Sequence, residues 1–144
     1  MIVLRDPQAT SQITDPYIRD LVALRFSQIL AGEPYDYDRH GYKVVVEPGD
    51  TVEQLEQEIG LPILHGLFDD IPFGDDDFTP CFDVLEEHIY ENGNNNDQHR
   101  IFEILIISND DGFATTVFVP ATEGTDSRLL AMCRSFATPA VTCG

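Results

Sequence analysis

Apolar and polar positions alternate with two different periods along this chain. Residues 14–31 repeat with a helical period. Ile18, Leu21, Val22, Leu24, Ile29 and Leu30 lie mostly on one side, Thr14 or Asp15 is placed to cap the start, Pro16 stands near the first turn, and Gly32 stops the run. Tyr42 to Val46 is short and β-branched and predicts a strand, closed by Pro48-Gly49. Asp50-Thr51-Val52-Glu53 has the spacing of a capping box with Asp in the capping place. A short helix is expected from it to Ile59, with Val52, Leu55 and Ile59 facing inward and Gly60 just past its end.

Residues 61–80 show no period and form a long irregular, strongly acidic segment. Residues 81–91 fit two patterns. Phe82, Leu85 and Ile89 after Thr79-Pro80 suit a capped helix, whereas the turn-rich Asn92 to Asn96 that follows suits a hairpin arm. The strand is preferred because residues 101–107 need neighbours: that run is apolar on both faces apart from Glu103, as in a strand covered on both sides. Ser108 to Gly112 predicts a hairpin turn, and Phe113 to Val119 the return strand. Thr125-Asp126 caps a last helix whose stripe is Leu129, Leu130, Met132, Cys133 and Phe136. The fold class expected is α+β: a mostly antiparallel sheet of about four strands with a C-terminal β-meander, packed with two to three helices. Residues 1–137 are expected to form one domain and 138–144 a flexible tail.

Charge changes this picture most. The 144 residues carry 26 Asp+Glu against 8 Lys+Arg, a formal charge of −18. With one lysine and seven arginines the chain lacks the cations that neutralise phosphates, so direct nucleic-acid binding and attachment to an anionic membrane surface are excluded as expectations. No apolar run approaches the ~20 residues of a membrane-spanning helix. The start at Met1 shows no basic, then apolar, leader pattern. The three cysteines, Cys81, Cys133 and Cys143, form no CxxC pair, so neither a disulfide framework nor a zinc site is expected. Together these predict a cytoplasmic protein, either a monomer or a small homo-oligomer. Residues 1–32 and 112–144 are each neutral, and 33–111 hold 21 acids against Arg39, Lys43 and Arg100. The excess therefore lies in the middle of the sequence.

Catalytic chemistry finds little support. There is no G-x-S-x-G, no P-loop, no GxGxxG and no HExxH, and the four histidines (His40, His65, His88 and His99) lack ligand spacing. His88 and His99 would face each other only if 81–91 is a hairpin arm. No catalytic residue and no cofactor is assigned. Read as a calcium loop, Asp75, Asp77, Thr79 and Glu86 occupy positions 1, 3, 5 and 12, but Pro80 stands where the loop needs Gly. The carboxylates of 69–77 still suit calcium or magnesium. A divalent-cation-binding domain with Asp75, Asp77 and Glu86 as ligands is therefore the alternative reading, and a small enzyme of unknown reaction a further one. Solvation of a halophilic surface would explain the acids with no partner, but the neutral ends argue against it.

The leading expectation is a non-enzymatic acidic interaction protein of the immunity, antitoxin or DNA-mimic-inhibitor type, a class suggested by charge and size alone. Such a surface attracts a basic protein. Acids interleaved with aromatics suit an interface, which selects Tyr35, Asp36, Tyr37 and Asp38, and then Phe68, Asp69, Asp70, Phe73, Asp75, Asp76, Asp77 and Phe78.

Overall fold

The computed structural model describes residues 1–30, 32–36, 40–59, 81–92, 97–107 and 114–137. Its elements are β1 (Ile2–Leu4), a 3-10 turn (Pro7–Gln12), α1 (Pro16–Leu30), β2 (Tyr42–Val45), α2 (Val52–Ile59), β3 (Cys81–Asn92), β4 (Asp97–Ile107), β5 (Ala114–Pro120) and α3 (Ser127–Ala137). The fold is α+β. The strands form one sheet in the order β1-β2-β5-β4-β3. Three pairings are antiparallel, and β2–β5 is parallel, with Val44 opposite Val117. The expected meander is β3-β4-β5. The sheet has one strand more than expected, because β1 is only three residues long and shows no period of its own. The expected turn at 108–112, Gly60 and the tail 138–144 lie outside the described residues.

Strand periodicity divides the core between the two sheet faces. Tyr42, Val44, Phe102, Ile104, Ile106, Val117 and Val119 pack with Val52 and Leu55 of α2 and with Leu129, Leu130, Met132 and Cys133 of α3. The intervening Val45, Ile101 and Phe118 pack with Leu4, Ile13 and α1's Ile18, Val22 and Phe26. Each fully buried Val, Ile or Phe of these clusters contributes about 1.5–3 kcal/mol of transfer free energy. This two-sided cover is why residues 101–107 of β4 read as apolar apart from Glu103. Along α1, Leu24 and Ile29 are exposed and Phe26 fills the buried stripe instead.

Local chemistry fixes the ends. Asp15 caps α1, its Oδ1 accepting from the backbone N–H of Tyr17 at 2.9 Å and of Ile18 at 3.2 Å. The capping box of α2 sits one residue later than expected. Thr51 Oγ1 accepts from Gln54 N at 3.2 Å while Gln54 Oε1 accepts from Thr51 N at 2.8 Å. Asp50 instead accepts from Glu47 N and lies 2.7 Å from the Met1 ammonium. Before α3, Gly124 has φ +94°, and a Cβ there would meet Pro48 Cβ at 3.1 Å. The backbone approach that Gly49 N and Gly124 O make at 3.0 Å therefore favours glycine. Among the described residues, no helix is long and apolar enough to cross a membrane.

Candidate functional site

The α1 face of the sheet holds a buried group of charges. Alternation along β4 places Ile101, Glu103 and Leu105 on this face, so Glu103 points under α1 and is 2% exposed. A charge there needs partners. Arg25 supplies them in a fork: Nε donates to Oε1 at 2.7 Å and Nη2 to Oε2 at 2.9 Å. Arg25 Nη1 donates to Gln28 Oε1, one turn further along α1.

A third group arrives through a register change. The β3–β4 pairing shifts between Val84 and Glu86, so Val84 faces Ile104 but Glu86 faces Glu103 and His88 faces Ile101. One extra residue in a strand reverses the face of everything beyond it. The bulge thereby sets His88 on the α1 face, where Nε2 lies 3.2 Å from Glu103 Oε2. His99 stands opposite Tyr90 and His88 opposite Ile101, so the two histidines are not directly opposed in the register.

The fourth group is Lys43, on β2. The register runs from Lys43 to Thr116 on β5 and from Thr116 to Leu105 on β4. Lys43 is 2% exposed. Its Nζ donates to Thr116 Oγ1 at 3.5 Å and lies 5.2 Å from the centre of the Phe26 ring. Burial pushes its pKa down to about 8; the Glu103 charge pulls it back up and Arg25 adds to the fall. Between α1 and the sheet a pocket of about 350 Å³ is lined by Arg25, Gln28, Ile29, Lys43, Glu103, Leu105 and Thr116. An amine and a carboxylate in one cleft, with the amine pKa lowered by burial, form an arrangement acid–base or nucleophilic chemistry uses.

The residues expected from the sequence fall elsewhere. Tyr35 is half-buried, its ring edge-on to Phe26 at 5.8 Å and stacked on His40 at 6.0 Å, and its hydroxyl donates to the Gly41 carbonyl. Asp36 is exposed, and its N–H donates to His40 Nδ1 at 2.9 Å. Tyr37, Asp38, Phe68, Asp69, Asp70, Phe73, Asp75, Asp76, Asp77 and Phe78 lie outside the described residues. Of the expected cation ligands, Glu86 stands on strand β3, where a calcium loop's exiting helix would begin. Among the described residues no group of three or more metal-ligating side chains converges.

Ion pairs tie the neutral ends to the acidic middle of the chain. Arg5 pairs with Glu58, Arg25 with Glu103 and Arg128 with Glu53, while the Met1 ammonium pairs with Glu47 and Asp50. Cations from the ends are thus committed to acids of the middle. The sequence marks the buried cluster only faintly: Glu103 is the one polar residue in its apolar run, and Lys43, the only lysine, interrupts a β-branched strand. No family model, curated protein or solved structure matches this chain.

Proposed function

We propose that the protein binds and occludes a basic protein surface through its acids. The observation that carries this reading is the edge of the sheet. β3 is the last strand in the order, and it carries Asp83, Glu86, Glu87 and Glu91 with no Lys or Arg. Acids on an edge strand keep it from pairing with other edges, and an excess of like charge attracts a cationic partner. The only lysine is withdrawn into the interior, and Arg5, Arg25 and Arg128 are tied to carboxylates of the same chain, so they offset none of the remaining acids. Residues 68–78, with their alternating Phe and Asp, lead along the chain into this strand. In the proposed mechanism carboxylates occupy Lys/Arg sites that would otherwise hold phosphate, and the aromatics add apolar contact. The class is that of immunity proteins, antitoxins or DNA-mimic inhibitors, acting in the cytoplasm.

The test is capture from a cell lysate on the immobilised chain at low and high salt, followed by displacement with duplex DNA. The expected result is a basic protein retained at low salt, released by salt and displaced by DNA. Retention of no basic protein at low salt, or a captured protein that DNA cannot displace, overturns the reading. A variant with Asp83, Glu86, Glu87 and Glu91 all changed to the corresponding amides should lose capture while keeping its helical circular-dichroism signal.

A further inference from the structure

We infer that the pocket beneath α1 binds a small aldehyde or ketone with an apolar body and holds it as an imine on Lys43. Three observations meet there. Lys43 forms part of the wall of a cleft of about 350 Å³, large enough for a small organic molecule. Lys43 is 2% exposed, and among the described residues its Nζ makes one long hydrogen bond, 3.5 Å to Thr116 Oγ1, beside the Phe26 ring. Glu103, fixed by Arg25, lines the same cleft, and its charge acts on the amine. An amine desolvated in an apolar pocket, with another cation close by, is how proteins make a lysine nucleophilic. The fall of its pKa to about 8 leaves a substantial neutral fraction at mildly alkaline pH.

The lining decides the ligand class. Ile29 and Leu105 offer apolar contact. Arg25 is already bonded to Glu103 and Gln28, which argues against a carboxylate-bearing carbonyl, and the strongly negative chain repels anions. A neutral carbonyl compound suits both facts. In the reaction the neutral Nζ adds to the carbonyl carbon, forming the C–N bond as the C=O π electrons pass to oxygen. The oxygen then leaves as water, carrying both amine protons, and the C=N bond remains. No oxidant or reductant is needed. The Glu103 charge favours the protonated form of the imine, and the Thr116 hydroxyl stands beside the nitrogen.

The experiment is reductive trapping on the full chain. Butanal and sodium cyanoborohydride are added at pH 8, and the product is read by intact mass and peptide mapping. Lys43 is the only lysine, and the Met1 amine, held as ammonium by Asp50 and Glu47, is the internal comparison. The expected result is one butyl adduct on Lys43, forming at least about tenfold faster than on Met1, with a rate that saturates in butanal. Glyoxylate, an anionic carbonyl, should trap more slowly. Ile29→Trp narrows the pocket from an exposed helix position, and should abolish the preference. Labelling of Lys43 no faster than Met1, labelling only in urea, or an unchanged rate in Ile29→Trp each overturns the inference.

Discussion

Arg25 of α1 and Glu103 of β4, 78 residues apart, are joined by two parallel hydrogen bonds beneath the helix. Glu103 is 2% exposed, so the pair is mostly out of water. The desolvation of such a pair offsets much of its Coulombic attraction, but removing one member strands the other charge. Glu103→Leu is therefore expected to destabilise the fold by about 3–5 kcal/mol. Adding Arg25→Met should recover part of that loss, since the arginine is then no longer stranded, while the buried Lys43 still lacks the carboxylate charge. Urea unfolding of the single and double variants checks this; a double variant as unstable as the single would show that the pair itself, not the stranded arginine, supplies the stability.

Lys43 gives the opposite pH dependence from a lysine whose pKa is raised by a carboxylate partner. Its pKa is about 8 in the fold against about 10.4 in an unfolded chain. Between these values the unfolded state binds more protons, so stability should rise as pH rises from 8 to about 10.5 and level off above. Below pH 8 the penalty of the buried ammonium is present in full. Lys43→Met, close in length and free of charge, should stabilise the protein at pH 7 by about 1–3 kcal/mol. The gain should nearly vanish at pH 10.5, and parallel urea titrations at the two pH values measure the difference.

Much of the architecture was legible because it is periodic. The apolar run 101–107 of β4, broken only by Glu103, reflects helices on both sides of the sheet, and the punctuation of α1 by Asp15 and Gly32 corresponds to a real cap and stop. The capping box lies one residue beyond the position its spacing suggests because Asp50 and Thr51 are both capable caps, and only the fold shows that Asp50 turns to Glu47 N and the Met1 ammonium. The buried cluster could not be read in advance. Its members come from α1, β2, β3, β4 and β5, and His88 reaches Glu103 only through a bulge that no local pattern announces. Charge summed along the sequence also does not show that Arg5, Arg25 and Arg128 reach across the fold to acids of the middle.

Cys133 lies in the core under α3 with no exposure, and burial pushes its thiol up to about 12. The thiolate is the reactive form, so this cysteine should be inert to a disulfide reagent at pH 8 in the native state. At most two of the three thiols should react within minutes, and the third only on a timescale set by unfolding. Peptide mapping after a brief alkylation pulse identifies which one is spared. Alkylation of Cys133 as fast as in the urea-unfolded chain would contradict its place in the core.

Asp126 links the start of α3 to the start of α2. Its Oδ1 accepts from Arg128 N at 2.9 Å and its Oδ2 from Val52 N at 3.1 Å, and Arg128 spans to Glu53. The hydrogen bond from the Arg128 side chain, helped by the two backbone donors, holds its pKa down at about 2. Arg128 likewise lowers Glu53. A carboxylate whose pKa is depressed by folding stabilises above its unfolded value and loses that contribution as pH falls toward the folded one. The Asp126 contribution should therefore be intact above pH 4 and disappear between pH 4 and 2. Asp126→Asn keeps a capping acceptor but removes the charge. It should cost about 1 kcal/mol at pH 7 and almost nothing at pH 2. Thermal melts across this range should show the wild-type and variant curves converging at the acid end, and a gap that stays constant with pH would refute the charge as its source.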